Sequence, residues 1–257
     1  MPSIHTQNIL GSLVRKIAKI PVLFKSFSLL LNPKKWGPFV EIARTTRFDH
    51  DISVSWSQGG EDLALLHYLP KIGFYIDVGA HHPSRFSVTR HLYQKGWRGL
   101  NIDANPDLQK SFLKMRPDDT FLNICVGLAE SYTFSIFEEP ALSTSVEGSV
   151  ARYISQGQNI SKVITVQGKS LFSIILEYVP DRVDLLVVDA EGADLEVMES
   201  LNLETLDRNL FPRWIVSEIS PPVFSVQESD LSKYLTLNGY ELFMVLPMSS
   251  IFRLTDV

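Results

Sequence analysis

Cysteine is almost absent from this chain: Cys125 is the only one in 257 residues. A lone thiol closes no internal disulfide, and without a cysteine cluster there is no thiolate cage for zinc. A reducing, cytoplasmic setting is the expectation. Long apolar runs are missing too. A membrane-spanning helix needs about 18 or more consecutive apolar residues, and the best run, 20–31, is broken by Pro21, Lys25 and two serines. That run also starts late and lacks a small-residue cleavage site, so it does not read as a signal peptide. No G-x-G-x-x-G turn occurs, which removes the pyrophosphate cradle that an NAD-linked oxidoreductase needs. Basic side chains are scarce beyond residue 50: residues 51–257 hold 16 Lys and Arg against 27 acids. So acidic a domain is a poor surface for nucleic acid.

What is present divides the chain in two. Residues 1–50 hold eight Lys and Arg against two acids. Leu10, Leu13, Val14 and Ile17 recur there at helical spacing, with Arg15, Lys16 and Lys19 mostly off the stripe. This predicts a basic helical N-terminal extension. One reading is peripheral contact with anionic lipid at the inner membrane face through residues 1–31. The other is an arm packed on its own domain or on a second copy in a homo-oligomer, the commoner meaning of such a stripe.

In residues 51–257 β-rich runs alternate with helical ones. Strands are expected over 74–78, 99–102, 121–126, 183–188, 214–219, 240–246 and 251–254, with short antiparallel additions at 133–137 and 163–166. Helices are expected over 86–94, 107–115, 171–178, 193–201 and 231–237. Strand–helix–strand order predicts an α/β doubly wound sheet, mostly parallel, with the last two strands forming an antiparallel edge hairpin. The polar stretch 138–162 is a candidate active-site loop or lid.

Ligands of such sheets sit beyond the carboxyl ends of the strands, and acids cluster at those ends. The first strand closes on Asp77-Val78-Gly79-Ala80-His81-His82-Pro83, the second on Asp103-Ala104-Asn105-Pro106. A later one closes on Asp189-Ala190-Glu191-Gly192, and the next carries Glu218. Gly79 allows a sharp turn close to a ligand. Asp103, 24 residues on, is placed to accept both hydroxyls of an adenosine ribose, or else to cap the following helix.

Four stretches together resemble the successive motifs of FkbM-type methyltransferases: Ser57-Gln58-Gly59-Gly60-Glu61-Asp62, Tyr75–Ala80, Gly96–Pro106 and Val183–Asp194. These are S-adenosylmethionine-dependent O-methyltransferases of the class I Rossmann-like type. The resemblance spans about residues 56–254. It implies that Asp77, Gly79 and Ala80 form the cofactor turn and that Asp103, with Ala104 and Asn105, holds the ribose. It implies that Asp189–Gly192 lies by the methyl group and acceptor, and that Gln58 and Glu61 stand at the active-site rim. It also implies a sugar, glycan or glycosylated small molecule as acceptor. The chain departs from the family's Gly-Ala-Asn-x-Gly turn, reading Gly79-Ala80-His81-His82-Pro83, and has Asp103 for the commoner Glu.

A hydroxyl acceptor must lose its proton as its oxygen attacks. Asp189 and Glu191 lead as base, with His81 and His82 as further candidates. The alternative for Glu191 is to cap the helix that follows, and for the two histidines to shape the turn or touch the acceptor. Glu218 belongs to the substrate rim. Asp189, Glu191 and Glu218 could also hold a Mg²⁺ ion. Ser57 with Glu61 nearly makes a capping signature. Cys125 reads as an inert core residue. A non-catalytic Rossmann-like binding module that has lost its cofactor is the alternative function.

Overall fold

The computed structural model describes residues 54–218 and 223–255. The N-terminal helical extension expected over 1–50, with its lipid or subunit contact, lies outside the described residues. Among the described residues no helix is long and apolar enough to cross a membrane.

Short apolar runs rich in β-branched residues form the strands: β1 (Phe74–Val78), β2 (Arg98–Ile102), β3 (Thr120–Leu122), β7 (Leu185–Val188), β8 (Trp214–Glu218), β9 (Tyr240–Val245) and β10 (Ser249–Leu254). They make one seven-stranded sheet in the order β3-β2-β1-β7-β8-β10-β9. The first five run parallel, and β10 pairs antiparallel with both β8 and β9. The closing hairpin thus forms as expected, with its second strand inserted inside its first. β4 (Cys125–Val126), β5 (Ser131–Phe137) and β6 (Ile160–Lys169) form a separate small sheet. The helices are α1 (Glu61–Leu65), α2 (Arg90–Gln94), α3 (Gln109–Met115), α4 (Glu147–Ser155), α5 (Leu171–Tyr178), α6 (Asp194–Glu199) and α7 (Asp230–Leu237).

Alternation along each strand sorts the core into two layers. Ile76, Val78, Leu186, Val188 and Ile215 face one way and pack with Ile174, Ile175, Val197, Met198 and Leu235 of α5, α6 and α7. Tyr75, Leu185, Val187, Trp214 and Val216 face the other way and pack with Leu65 of α1 and Leu92 of α2. Each fully buried aliphatic side chain contributes about 1.5–3 kcal/mol, so both layers hold the sheet between its helices.

Two local expectations are corrected. The strand expected over 121–126 is two. β3 ends at Leu122 opposite Ile102, Asn123 turns its amide to the Asp103 carbonyl at 2.9 Å, and β4 joins the other sheet. The helix expected from residue 86 begins at Arg90, because Phe86 takes a left-handed φ of 60°. The polar stretch 138–162 holds α4 and a short helical turn at Pro140–Leu142, and Pro140, Leu142, Ser145 and Tyr153 of it border the cavity at the strand ends.

Candidate active site

Register builds the site. Val78 pairs with Ile102 on one side and Val188 on the other, and Val188 pairs with Ser217. The next residue of each strand therefore falls in one row: Gly79, Asp103, Asp189 and Glu218 line the carboxyl edge of the parallel strands. They border a cavity of about 280 Å³. Gln58, Glu61, Asp77, Ala80, His81, Ala104 and Glu191 border it too, so most residues singled out in the sequence come together. His82 and Asn105 do not reach the cavity wall.

The turn after β1 closes despite lacking its second glycine. Gly79 has φ 75°, and a Cβ there would stand 1.8 Å from the Asp189 carbonyl oxygen, so the β1 and β7 turns touch backbone to backbone. His81 accepts the left-handed conformation, φ 48°, and its N–H donates to Asp103 Oδ2 at 2.9 Å. Asp103 Oδ1 accepts from Asn105 N–H at 2.8 Å. Asp103 thus straps the two turns together and still has lone pairs for a ribose. His82 shapes the loop from within, since its Nδ1 accepts from the N–H groups of Ser84 and Arg85 at 3.1 and 3.0 Å. Asn105 caps the helical turn at Pro106–Leu108. His81 Nε2 lies 3.2 Å from Arg85 Nη1. Burial and the Arg85 charge hold its pKa down at about 4, so His81 is neutral near pH 7 and a weak base.

Behind the turn lies a polar network that sequence reasoning missed. Arg116 is fully buried and donates through Nε to the Pro83 carbonyl at 3.0 Å, through Nη1 to Thr89 and Asn101 at 2.8 Å each, and through Nη2 to Ser87 at 2.5 Å. Thr89 in turn donates to Asp77 Oδ2 at 2.5 Å. Asp119 accepts from Tyr75 and Asn101, and lies 3.9 Å from Arg116. Burial pushes Asp77 up to about 6.

The acids divide by partner. Glu191, itself in the left-handed region at φ 50°, accepts the hydroxyl of Tyr153 from α4. Asp194 accepts from Ser217 Oγ at 3.1 Å and is held up at about 6 by burial. Glu218 is pushed to about 7 by burial and by Glu191 and Asp194. Asp189 opens onto the cavity and accepts no hydrogen bond from a described side chain. Asp189 keeps surface exposed to the crevice, but protein atoms crowd it and displace part of its water; that, then the charges of Glu218, Asp194, Glu191 and Asp77, raises its carboxyl above the usual range. Glu61 is buried and committed, accepting from Ser249 at 2.7 Å and Gly59 N–H at 3.0 Å. The expected pairing of Ser57 with Glu61 is replaced by one with Asp62, at 3.0 Å. Gln58 stays exposed at the rim. Cys125 borders the cavity, and burial holds its thiol protonated with a pKa of about 11.

Mg²⁺ does not fit this geometry. Among the described residues no three Asp, Glu, His or Cys side chains converge as metal ligands, and Glu191 is turned to Tyr153. S-adenosylmethionine does fit. Asp103 offers a ribose acceptor on the wall, the ring of carboxyls suits a sulfonium cation, and Ile102, Ala104, Ile124, Val126 and Phe134 supply apolar wall for a purine.

The profile of the Methyltransferase FkbM domain matches residues 77–242. No curated protein matches. Similar solved structures include a TehB-like SAM-dependent methyltransferase from Corynebacterium glutamicum, 12% identical over 87% of this chain and 100% of that one, TM-score 0.39. The delta-N METTL16 MTase domain and the human methyltransferase 10 domain containing protein are each 12% identical over 93% of this chain and 98% of theirs, with TM-scores of 0.42 and 0.41. Likeness that distant carries nothing about residues or substrate; the fold stands on strand order and register. The family match covers well over half of the chain, so this protein belongs to the FkbM family of S-adenosylmethionine-dependent methyltransferases.

Proposed function

We propose that this enzyme methylates a hydroxyl of a sugar, glycan or glycosylated small molecule, and that Asp189 takes up the hydroxyl proton. Bound S-adenosylmethionine would supply an electrophilic methyl on a sulfonium cation. The observation that carries the reading is the state of Asp189. It stands at the carboxyl end of β7 on the cavity wall, without a described hydrogen-bond donor and with a raised proton affinity. Glu191, the other sequence candidate, is engaged by Tyr153 and serves better to position the wall than to move a proton. Gly79 lets the turns close up, and Asp103 orients the ribose. The sugar class rests on the resemblance of the motifs, and an O-acceptor agrees with a site that offers a base.

The decisive experiment is methyl transfer from labelled cofactor to a panel of sugar hydroxyl acceptors, with wild type and Asp189→Asn. A positioned base contributes about 10²–10⁴-fold, so the variant should lose that much turnover while still binding S-adenosylhomocysteine. The wild-type rate should climb as pH rises through a raised carboxyl pKa, because only the ionised acid accepts the proton. Wild-type turnover in the variant would remove Asp189 from this role. Transfer only to nitrogen or carbon acceptors would remove the hydroxyl assignment.

A further inference from the structure

A second concavity, of about 280 Å³, opens at the opposite pole of the sheet. Its wall includes Arg182, Arg213 and Arg253, with Asp184, Trp214 and Pro70. Residues 182–184 lead into β7, Arg213 leads into β8, and Arg253 lies near the end of the reversed strand β10. This is therefore the amino-terminal edge of the parallel strands, away from the methyl-transfer crevice.

The main chain sets these arginines side by side. Arg213 N–H donates to the Val183 carbonyl at 3.0 Å, and Leu254 N–H donates to the Arg213 carbonyl at 3.0 Å. Arg253 faces Trp214 in the β8–β10 register. Strands stand about 4.8 Å apart, so the three arginines arise from neighbouring strands and all border this concavity, in a stretch (51–257) that holds 27 acids against 16 Lys and Arg. Two are balanced: Arg182 pairs with Asp184 at 2.8 Å, and Arg253 Nε meets Glu241 at 2.8 Å. The Asp184 carboxylate is used up, since its other oxygen accepts Phe74 N–H at 2.9 Å. The exposed Arg213 side chain makes no hydrogen bond or ion pair among the described residues. It keeps five N–H donors.

We propose that this arginine pole is a binding site for a phosphate-bearing anion, seated on Arg213 and flanked by Arg182 and Arg253. A phosphate offers several acceptor oxygens to guanidinium forks at once, which a single carboxylate cannot. The anion neutralises the uncompensated charge, and Pro70 and Leu254 give apolar wall to whatever carries it. The site is independent of the methyl-transfer reading.

The test is calorimetric titration of pyrophosphate into the full chain, with Arg213→Gln and Arg182→Gln beside wild type. Wild type should bind one pyrophosphate saturably, and Arg213→Gln should weaken it by about tenfold or more, the effect of losing hydrogen bonds to a charged group. Binding of S-adenosylhomocysteine should not change in the variant. No saturable binding in wild type, or binding as tight as wild type in both variants, overturns the proposal. Co-sedimentation with phosphatidic acid vesicles, against phosphatidylcholine alone, then identifies the source. Vesicle binding lost in Arg213→Gln makes the anion a lipid headgroup. Pyrophosphate binding without an Arg213-dependent vesicle contact makes it a soluble phosphate.

Discussion

Arg116→Met removes the buried hub behind the cofactor turn while keeping much of its apolar volume. Four acceptors lose a donor at once: the Pro83 carbonyl, Ser87, Thr89 and Asn101. The Asp119 carboxylate, 3.9 Å away and almost wholly buried, loses the cation beside it. The hydroxyls of Ser87 and Thr89 can rotate to other partners, but the Pro83 carbonyl and the Asn101 side-chain oxygen cannot. Breaking a buried ion pair from one side costs about 3–5 kcal/mol, a large share of the 5–15 kcal/mol that holds a typical domain folded. With a urea dependence of about 2 kcal/mol per molar, the denaturation midpoint should fall by about 1.5–2.5 M. The loop 83–89 should also loosen, because Arg116 alone ties three of its residues, and Thr89 in turn holds Asp77. Binding of S-adenosylhomocysteine should weaken, and Arg116→Lys should rescue only part of either loss, since one ammonium cannot reach four acceptors. A midpoint within about 0.5 M of wild type, with cofactor affinity unchanged, would refute the view that this network sets the turn.

Gly79→Ala should be worse than an ordinary surface change: the added Cβ meets the Asp189 carbonyl at 1.8 Å in a backbone with φ 75°, so thermal melting should fall sharply and cofactor binding should vanish. Glu218→Gln carries a pH signature. Folding raises this carboxyl to about 7 from its ordinary value of 4.5, so its charged form is disfavoured in the folded state. The neutral variant should therefore melt higher than wild type above pH 7, and the gain should disappear below pH 4.5, where the acid is protonated in both states; a gain that grew on acidification would contradict the shift. The same acids should make the cationic cofactor bind more tightly as pH rises from about 6 to 8, with a smaller change for S-adenosylhomocysteine, whose sulfur is neutral. Equal pH slopes in calorimetry would mean that the carboxyls do not face the sulfonium.

Much of this molecule is written locally. Alternating apolar runs, with Gly79, Gly96 and Gly239 as punctuation, are enough to order strands and helices, because period and turn chemistry act within a few residues. Acids at strand ends are equally visible, since an ionisable residue that closes an apolar run stands out against the sequence around it. So Asp77, Asp103, Asp189, Glu191 and Glu218 are legible along the chain alone. Register is not. Parallel pairing joins segments far apart in the chain, and only the packing of both core layers decides that Val78, Ile102 and Val188 lie level and bring Gly79, Asp103 and Asp189 into one row. Nor can the partners of those acids be read. Tyr153 reaches Glu191 from within the 138–162 stretch, which leaves Asp189 as the acid without a side-chain donor among the described residues. Arg116 looks like any basic residue at a helix end until the fold buries it. Arg182, Arg213 and Arg253 are ordinary along the chain and become a cationic pole only because three neighbouring strands carry them to the same edge of the sheet.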